Sequence, residues 1–317
     1  MTATDPKRTS TGAGDQMIKI LSRSALIGLL ALSFCGGASA GGGTYPQPNQ
    51  RVVMVTGSTS GLGSELARAL AEEGDHVIVH GRNSESGNSL VEEIMSDGKG
   101  SARFYRADFS SLAEVRKLGQ AILRDYDRLD VLVNNAGFFR SDDPARYESS
   151  DGFELHFQVN YLAGYVLTNA LLPLLEKSSP GRVVMVSSIG QRPLDFDNLM
   201  LETDYTPGQA YRQSKLAQIM MTFHYAEEFS ERDISINAVH PSSLMNTPPV
   251  LRKGYEPQSS VLTGRDAVLK LINEDVGTGK YFNVFKEDRA NEQAYDERAV
   301  AELMEVSRKL TTGSTAH

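Results

Sequence analysis

Tyr211-Arg-Gln-Ser-Lys215 places a phenol and an ammonium four residues apart. On a helix that spacing puts both on one face. A free tyrosine has a pKa of about 10 and is a poor base near neutral pH. A nearby cation favours the phenolate. Such a tyrosine can give a proton to a carbonyl oxygen as hydride arrives, or take one from an alcohol. Taken alone the pair is a weak signal, and a surface pair is the bland reading. Ser187-Ser188 ends an apolar strand, where a hydroxyl could stabilise charge developing on a substrate oxygen. A turn or cap serine is the alternative. Asn134-Asn135-Ala136-Gly137 ends another strand, with small residues that suit a cofactor ribose or an ordinary turn. Asn160 falls within a helical stretch, where Asn is mildly unfavourable. A buried role is one reason to keep it, and a helix-surface amide is the other reading.

A second chemistry is anion binding. Val53-Met-Val-Thr-Gly57-Ser58-Thr-Ser60-Gly61-Leu62-Gly63 leaves a strand and opens a helix. Gly57 allows the tight turn, Gly61 lets the backbone approach a pyrophosphate, and Gly63 lets the helix pack closely on the strand. Free N–H groups at the helix start then face the anion. Ser58, Ser60 and Leu62 join the three glycines as candidate cofactor-binding residues. The next strand ends in His80-Gly-Arg82-Asn83, with no carboxylate where an NAD site carries one. The planar fork of Arg82 suits a 2′-phosphate, which favours NADP over NAD.

These residues need a frame. Seven apolar strands are expected, at Val52–Thr56, Val77–His80, Arg103–Arg106, Val131–Val133, Val183–Ser187, Ile234–Val239 and Tyr281–Phe285. Helical patterns fall at Leu62–Glu73, Ser84–Ser96, Leu112–Tyr126, Phe153–Lys177, Tyr211–Phe229 and Val300–Leu310. Alternating β and α units imply an α/β fold: one Rossmann-type doubly wound domain, a parallel seven-stranded sheet with helices on both faces. Both serines and the Asn-Asn-Ala-Gly turn then sit at the carboxyl edge, where open α/β sheets bind ligands.

Composition closes other routes. The chain has 317 residues and a formal net charge of −8, which argues against nucleic-acid partners. A single cysteine, Cys35, excludes an intrachain disulfide and a Cys-ligated zinc site, and no metal is expected. Residues 1–48 are expected to lie outside the fold and 49–317 to form the domain. Met17 and Arg23 precede an apolar run from Ala25 to Phe34, and Ala38-Ser-Ala40 follows. That is the pattern of a secretory signal peptide, and it is too short for a comfortable membrane span. Export or membrane attachment is the expectation. The alternative is an uncleaved tail on a cytoplasmic enzyme, and Met17 is an alternative start.

In combination these residues are far more specific than singly. The chain resembles the short-chain dehydrogenase/reductase family over about residues 51–310. The resemblance rests on Thr56-Gly-Ser-Thr-Ser-Gly-Leu-Gly63, Asp108, Asn134-Asn-Ala-Gly137, Asn160, Ser188, Tyr211-x-x-x-Lys215 and His240-Pro241, in family order. Phe157-Gln-Val-Asn-Tyr-Leu162, the Arg after the second strand and the gap from Ser188 to Tyr211 fit the branch that includes retinol dehydrogenases and related carbonyl reductases. The resemblance implies that Tyr211 is the proton donor or acceptor. It implies that Lys215 binds the nicotinamide ribose and lowers the Tyr211 pKa, and that Ser188 rather than Ser187 orients the substrate carbonyl. Asn160 would hold a relay water, Asp108 with Phe109 beside it would contact the adenine, and Asn135, Ala136 and Gly137 would line the ribose. The family's Pro-Gly after the sixth strand is here Pro241-Ser-Ser-Leu-Met-Asn-Thr247, with Thr247 within reach of the carboxamide. The expected activity is NADP(H)-dependent hydride transfer to or from a carbonyl or alcohol. An epimerase or dehydratase using the same site, and a non-enzymatic NADP-binding regulator, are the alternatives. Phe138, Phe139, Leu194, Met245 and Pro248 could line a hydrophobic substrate or simply pack. A homodimer or homotetramer through the two long helices is the family-based expectation.

Overall fold

The computed structural model describes residues 40–140, 143–247, 250–251 and 254–312. The strands are β1 (Ala40–Gly43), β2 (Val52–Val55), β3 (His76–Gly81), β4 (Ser101–Arg106), β5 (Val131–Asn134), β6 (Gly181–Val186), β7 (Ile234–His240), β8 (Lys280–Asn283) and β9 (Lys286–Glu287). The helices are α1 (Gly61–Glu72), α2 (Ser84–Asp97), α3 (Leu112–Asp125), α4 (Ala163–Leu175), α5 (Pro207–Glu228), α6 (Val261–Asn273) and α7 (Glu297–Thr312). One sheet runs in the order β1-β4-β3-β2-β5-β6-β7-β8-β9. The seven inner strands, β2 to β8, are parallel, as the sequence implies, and an antiparallel strand is added at each edge.

Strand side chains alternate between faces with period two. In β2, Val52 and Met54 join a core with α3, α4 and α5, while Val53 and Val55 join a core with α1, α2 and α6. Both faces are covered, so the strands read as continuous apolar runs. The order reverses between β2 and β5, which opens the crevice where such sheets take a ligand.

Four expectations change. The fold begins before residue 49. Ala40–Gly43 pairs antiparallel with β4, the Thr44 N–H donates to the Ala102 carbonyl (3.1 Å), and Tyr45 packs on Tyr126 and under Arg103. A strand of one alanine and three glycines carries no alternation to read. The apolar run Ala25–Phe34 and Cys35 lie outside the described residues. The long helix expected from Phe153 starts instead with a π-helical turn at Phe157–Leu162, which places Asn160 in an irregular segment. Helix α6 was not expected. The Ser260 hydroxyl caps it by accepting from the Leu262 N–H at 3.2 Å, and Val268, Leu271 and Ile272 bury against the sheet. Helix α7 packs against α5, and the Tyr161 and Ser307 hydroxyls meet at 2.7 Å. Part of the helical face expected to form an oligomer is therefore covered by the chain itself. No described helix is long and apolar enough to cross a membrane.

Candidate active site

Two elements carry most of the candidate residues: the end of β6 and the first half of α5. Two hydrogen bonds join them. The Ser187 hydroxyl donates to the Lys215 carbonyl (2.7 Å) and the Lys215 ammonium donates to the Val186 carbonyl (2.8 Å), and the Ser188 hydroxyl sits near enough to the Tyr211 phenol to oppose the rise in its pKa. Ser187 is spent on the frame, so Ser188 is the hydroxyl left beside the phenol. Its Oγ accepts from the Gly190 N–H at 3.1 Å, which leaves the O–H to donate.

Asn160 enters from the π-helical turn, a feature frequent at functional sites. Its amide donates to the Phe138 carbonyl (3.1 Å) and to the Ser214 hydroxyl (2.9 Å), and its Oδ1 accepts from the Phe138 N–H (2.6 Å). Ser214 in turn donates to the Tyr211 carbonyl (2.7 Å). A Cβ on Gly137 would stand 3.7 Å from Asn160 Oδ1 and 3.8 Å from Lys215 Nζ. Tyr211, Lys215, Ser188, Asn160 and Gly137 thus converge on the carboxyl edge.

Lys215 is 4% exposed, and burial pushes its pKa down to about 7. Its third N–H is available to a ligand beyond Val186 and Gln218. Lys215 Nζ lies 5.8 Å from the Tyr211 ring centre. Dense protein around the half-buried Tyr211 pushes its phenol above the ordinary value, opposed by the Ser188 hydroxyl. The downward shift implied by the resemblance does not emerge here, because desolvation raises the phenol and outweighs the opposing effect of Ser188.

The lysine carries a stability signature. Its folded pKa lies below the unfolded value of 10.5. Between the two, the unfolded chain binds a proton that the folded chain does not. The stability it contributes is full above the unfolded pKa and is lost as pH falls through the folded one. From pH 7 to pH 9 the cofactor-free protein should gain about 2–3 kcal/mol over Lys215→Met. Denaturant unfolding of both at each pH measures this, and a difference that stays flat would overturn it.

The glycine loop fits a dinucleotide phosphate. Gly57 has φ +66°, and a Cβ there would stand 2.8 Å from Ala136 Cα. The Ser60 side chain makes no cap bond, and the first turn of α1 carries no acid, so nothing there opposes an anion at its N–H groups. Arg82 presents a guanidinium whose side chain is 70% exposed, 3.9 Å from Asp108. Thr247 lies over the loop, with carbons 3.6 Å from where a Gly61 Cβ would be, and Pro241 is buried with its Cβ 3.4 Å from where a Gly264 Cβ on α6 would be.

Some candidates also hold the frame. The Ser58 hydroxyl is buried, donates to the Val55 carbonyl (2.8 Å) and accepts from the His80 N–H (3.0 Å). The Asn135 amide donates to the Thr56 and Gly57 carbonyls, fixing the loop. The Phe109 ring is buried and stacked on His80 at 4.4 Å, so it supports Asp108 from inside the core. Leu194 is also core, and Met245 packs against Gly264. Phe139 does face the site, 4.6 Å from the Tyr211 ring, and Phe138 lies on His156 at 4.7 Å. Pro248 lies outside the described residues.

Other positioning residues carried only faint sequence signals. Thr56 Oγ1 accepts from the Asn135 and Ala136 N–H groups, both at 2.9 Å. His80 Nδ1 accepts from the Gly57 N–H (3.2 Å) while its Nε2 donates to the Ala107 carbonyl (3.2 Å). Burial holds its pKa near 4, so it stays neutral. Glu154 and His156 form a buried pair at 2.8 Å beneath Phe138. Thr59 packs on Gly81, next to Arg82. A polar residue inside an apolar stretch was the clue for His80, Glu154 and His156.

A family model described as short chain dehydrogenase matches residues 51–250. Mouse retinol dehydrogenase 14 is 32% identical over 84% of this chain and 87% of its own. A Mycobacterium paratuberculosis protein of solved structure superposes with a TM-score of 0.69 at 26% identity, covering 86% of this chain and 97% of that one. A short chain dehydrogenase of Shigella flexneri, solved with NADP, superposes at 0.63 with 28% identity over 75% and 98%.

Proposed function

The chain belongs to the short-chain dehydrogenase family and is an NAD(P)-dependent oxidoreductase, and from that premise we propose that it uses NADP(H) to interconvert a carbonyl and an alcohol through Asn160, Ser188, Tyr211 and Lys215. The observation that carries this reading is the convergence of the Ser188 hydroxyl, the Tyr211 phenol and the Lys215 ammonium at one sheet edge, beside a loop built for a phosphate. The bound cofactor supplies or accepts the hydride. Ser188 donates its hydrogen bond to the substrate oxygen. Tyr211 gives that oxygen a proton as charge develops on it. A phenol held above its ordinary pKa starts protonated, which suits reduction. Lys215 directs its remaining N–H to the ribose. A relay water would rest on the free lone pair of Asn160 Oδ1, since both of its N–H groups are committed. Phe139 and Ile189, both exposed at the rim, favour an apolar substrate body. Following NADPH absorbance over a panel of carbonyl compounds tests the whole reading. No turnover of any of them would reject it.

Arg82 should set the cofactor preference. A hydrogen bond to a charged group is worth roughly 1.5–3 kcal/mol, or about 10–150-fold. Arg82→Ala should weaken NADPH by that order and leave NADH nearly untouched. The ratio of kcat/KM for the two cofactors measures it, and a wild type that prefers NADH would overturn it. The NADP in the Shigella relative supports the same preference.

The segment before Ala40 is proposed as a targeting or anchoring piece, and the domain as the rest of the chain. A homodimer or homotetramer through α4 and α5 would have to use the part of α5 that α7 leaves open.

A further inference from the structure

Ser188 does not stand on a regular element. β6 ends at Val186, and residues 187–195 are irregular up to the turn at Phe196–Asn198. A hydroxyl that must meet a substrate oxygen has to be held within about half an ångström. Something outside the loop must do this, and the contacts come from much later in the chain.

The Ser188 main-chain carbonyl accepts two hydrogen bonds, from the Tyr281 hydroxyl on β8 (3.2 Å) and from the Gln191 amide (3.1 Å). Gln191 is itself oriented, because its Oε1 accepts from the Asn291 N–H at 2.7 Å. Three residues after Gln191, the Leu194 main chain is paired from both sides by Gln293. Its Oε1 accepts from the Leu194 N–H (2.6 Å) and its Nε2 donates to the Leu194 carbonyl (3.0 Å). The segment bearing Asn291 and Gln293 is braced in turn. The Ala290 N–H donates to the Tyr295 hydroxyl (3.0 Å), and the Tyr295 ring packs on Phe223 of α5, the helix that carries Tyr211. The clasp thus ties the Ser188 loop to the element holding its catalytic partner.

We propose that Tyr281, Gln191 and Gln293 are positioning residues that set the Ser188 hydroxyl against Tyr211, so that the segment after β9 is a built part of the active site. This rests on the reading of Ser188 as the group that binds the substrate oxygen. Tyr281 and Gln293 lie beyond residues 51–250, the part matched by the family model. Each glutamine amide has one orientation that satisfies its partners. Swapping its NH₂ for an oxygen keeps shape and volume but sets oxygen against a carbonyl.

Gln191→Glu and Gln293→Glu are therefore the diagnostic variants. For a carbonyl compound that the wild type reduces, each should lower kcat about 10-fold or more, since one hydrogen bond is lost and a repulsion replaces it. KM and the NADPH dissociation constant should stay nearly unchanged. Tyr281→Phe should cost less, because Gln191 still donates to the same carbonyl. Hydrogen exchange of residues 187–195 should quicken in both glutamate variants. A kcat that does not move would overturn the proposal. So would losses in kcat, NADPH affinity and melting temperature that run in parallel, since that marks general damage. If the wild type reduces no carbonyl, the functional reading fails by itself. Hydrogen exchange then still decides the clasp: unaltered exchange at 187–195 in both variants overturns it.

Discussion

Tyr211→Phe should lower kcat by about 10²–10⁴-fold while NADPH binds almost as before, because general acid–base catalysis contributes that much. The substitution removes one oxygen and leaves the ring. The ring contact with Phe139 at 4.6 Å survives, so the wall of the site stays in place. Ser188 keeps its bond from Gly190 and loses only the phenol. The main-chain carbonyl of residue 211 still accepts from Ser214, so Asn160 also holds its position. What disappears is the proton that the proposed mechanism gives to the substrate oxygen. Steady-state turnover beside a fluorescence titration of NADPH separates the two effects. Near-normal kcat in this variant would sink the assigned mechanism.

Gly63→Ala should cost NADPH affinity by about 10²-fold, from overpacking of up to about 3 kcal/mol. A Cβ at residue 63 would stand 2.4 Å from the Gly57 carbonyl oxygen, 2.6 Å from the Asn135 amide and 2.9 Å from Ser58 Cα. Two of these three are backbone atoms, so no change of rotamer relieves the clash. Helix α1 must move off the loop, and the N–H groups aimed at the phosphate move with it. The Asn135 bond to the Thr56 carbonyl at 2.7 Å would be strained as well. Gly61→Ala is the contrast, since its Cβ meets only Thr247 carbons at an ordinary 3.6 Å. Its cost arises from φ +60° alone, about 1–2 kcal/mol. Titrating NADPH into both variants, with melting temperatures alongside, tests the ranking. A Gly63→Ala protein that binds like the wild type would remove the steric account of the loop.

The candidate site was legible where its determinants are local. Tyr211 and Lys215 share a helix face because four residues make about one turn, wherever that helix lies. The glycine loop was legible because a strand, a turn and a helix start follow one another within a dozen residues. The missing carboxylate after β3 is likewise a fact of a few adjacent positions. These spacings, with seven apolar runs, determined a parallel sheet and the edge on which the chemistry sits.

Tertiary structure decided what depends on distant residues or on burial. Ser187 and Ser188 are the same residue type one position apart, and only the bond from Ser187 to the Lys215 carbonyl, 28 residues away, tells the frame from the site. The direction of the Tyr211 shift depends on how much water the fold removes around it, and no local pattern records that. Ser58, Asn135 and Phe109 stand beside the expected cofactor groove in sequence, yet their side chains turn inward to satisfy buried donors and acceptors. β1 has almost no side chains to alternate, so its place at the sheet edge follows from pairing with β4 alone. Gln293 meets Leu194 across 99 residues, which makes the clasp a product of chain closure. Periodicity and spacing are properties of neighbours along the chain, whereas desolvation and hydrogen-bond partnership are properties of neighbours in space.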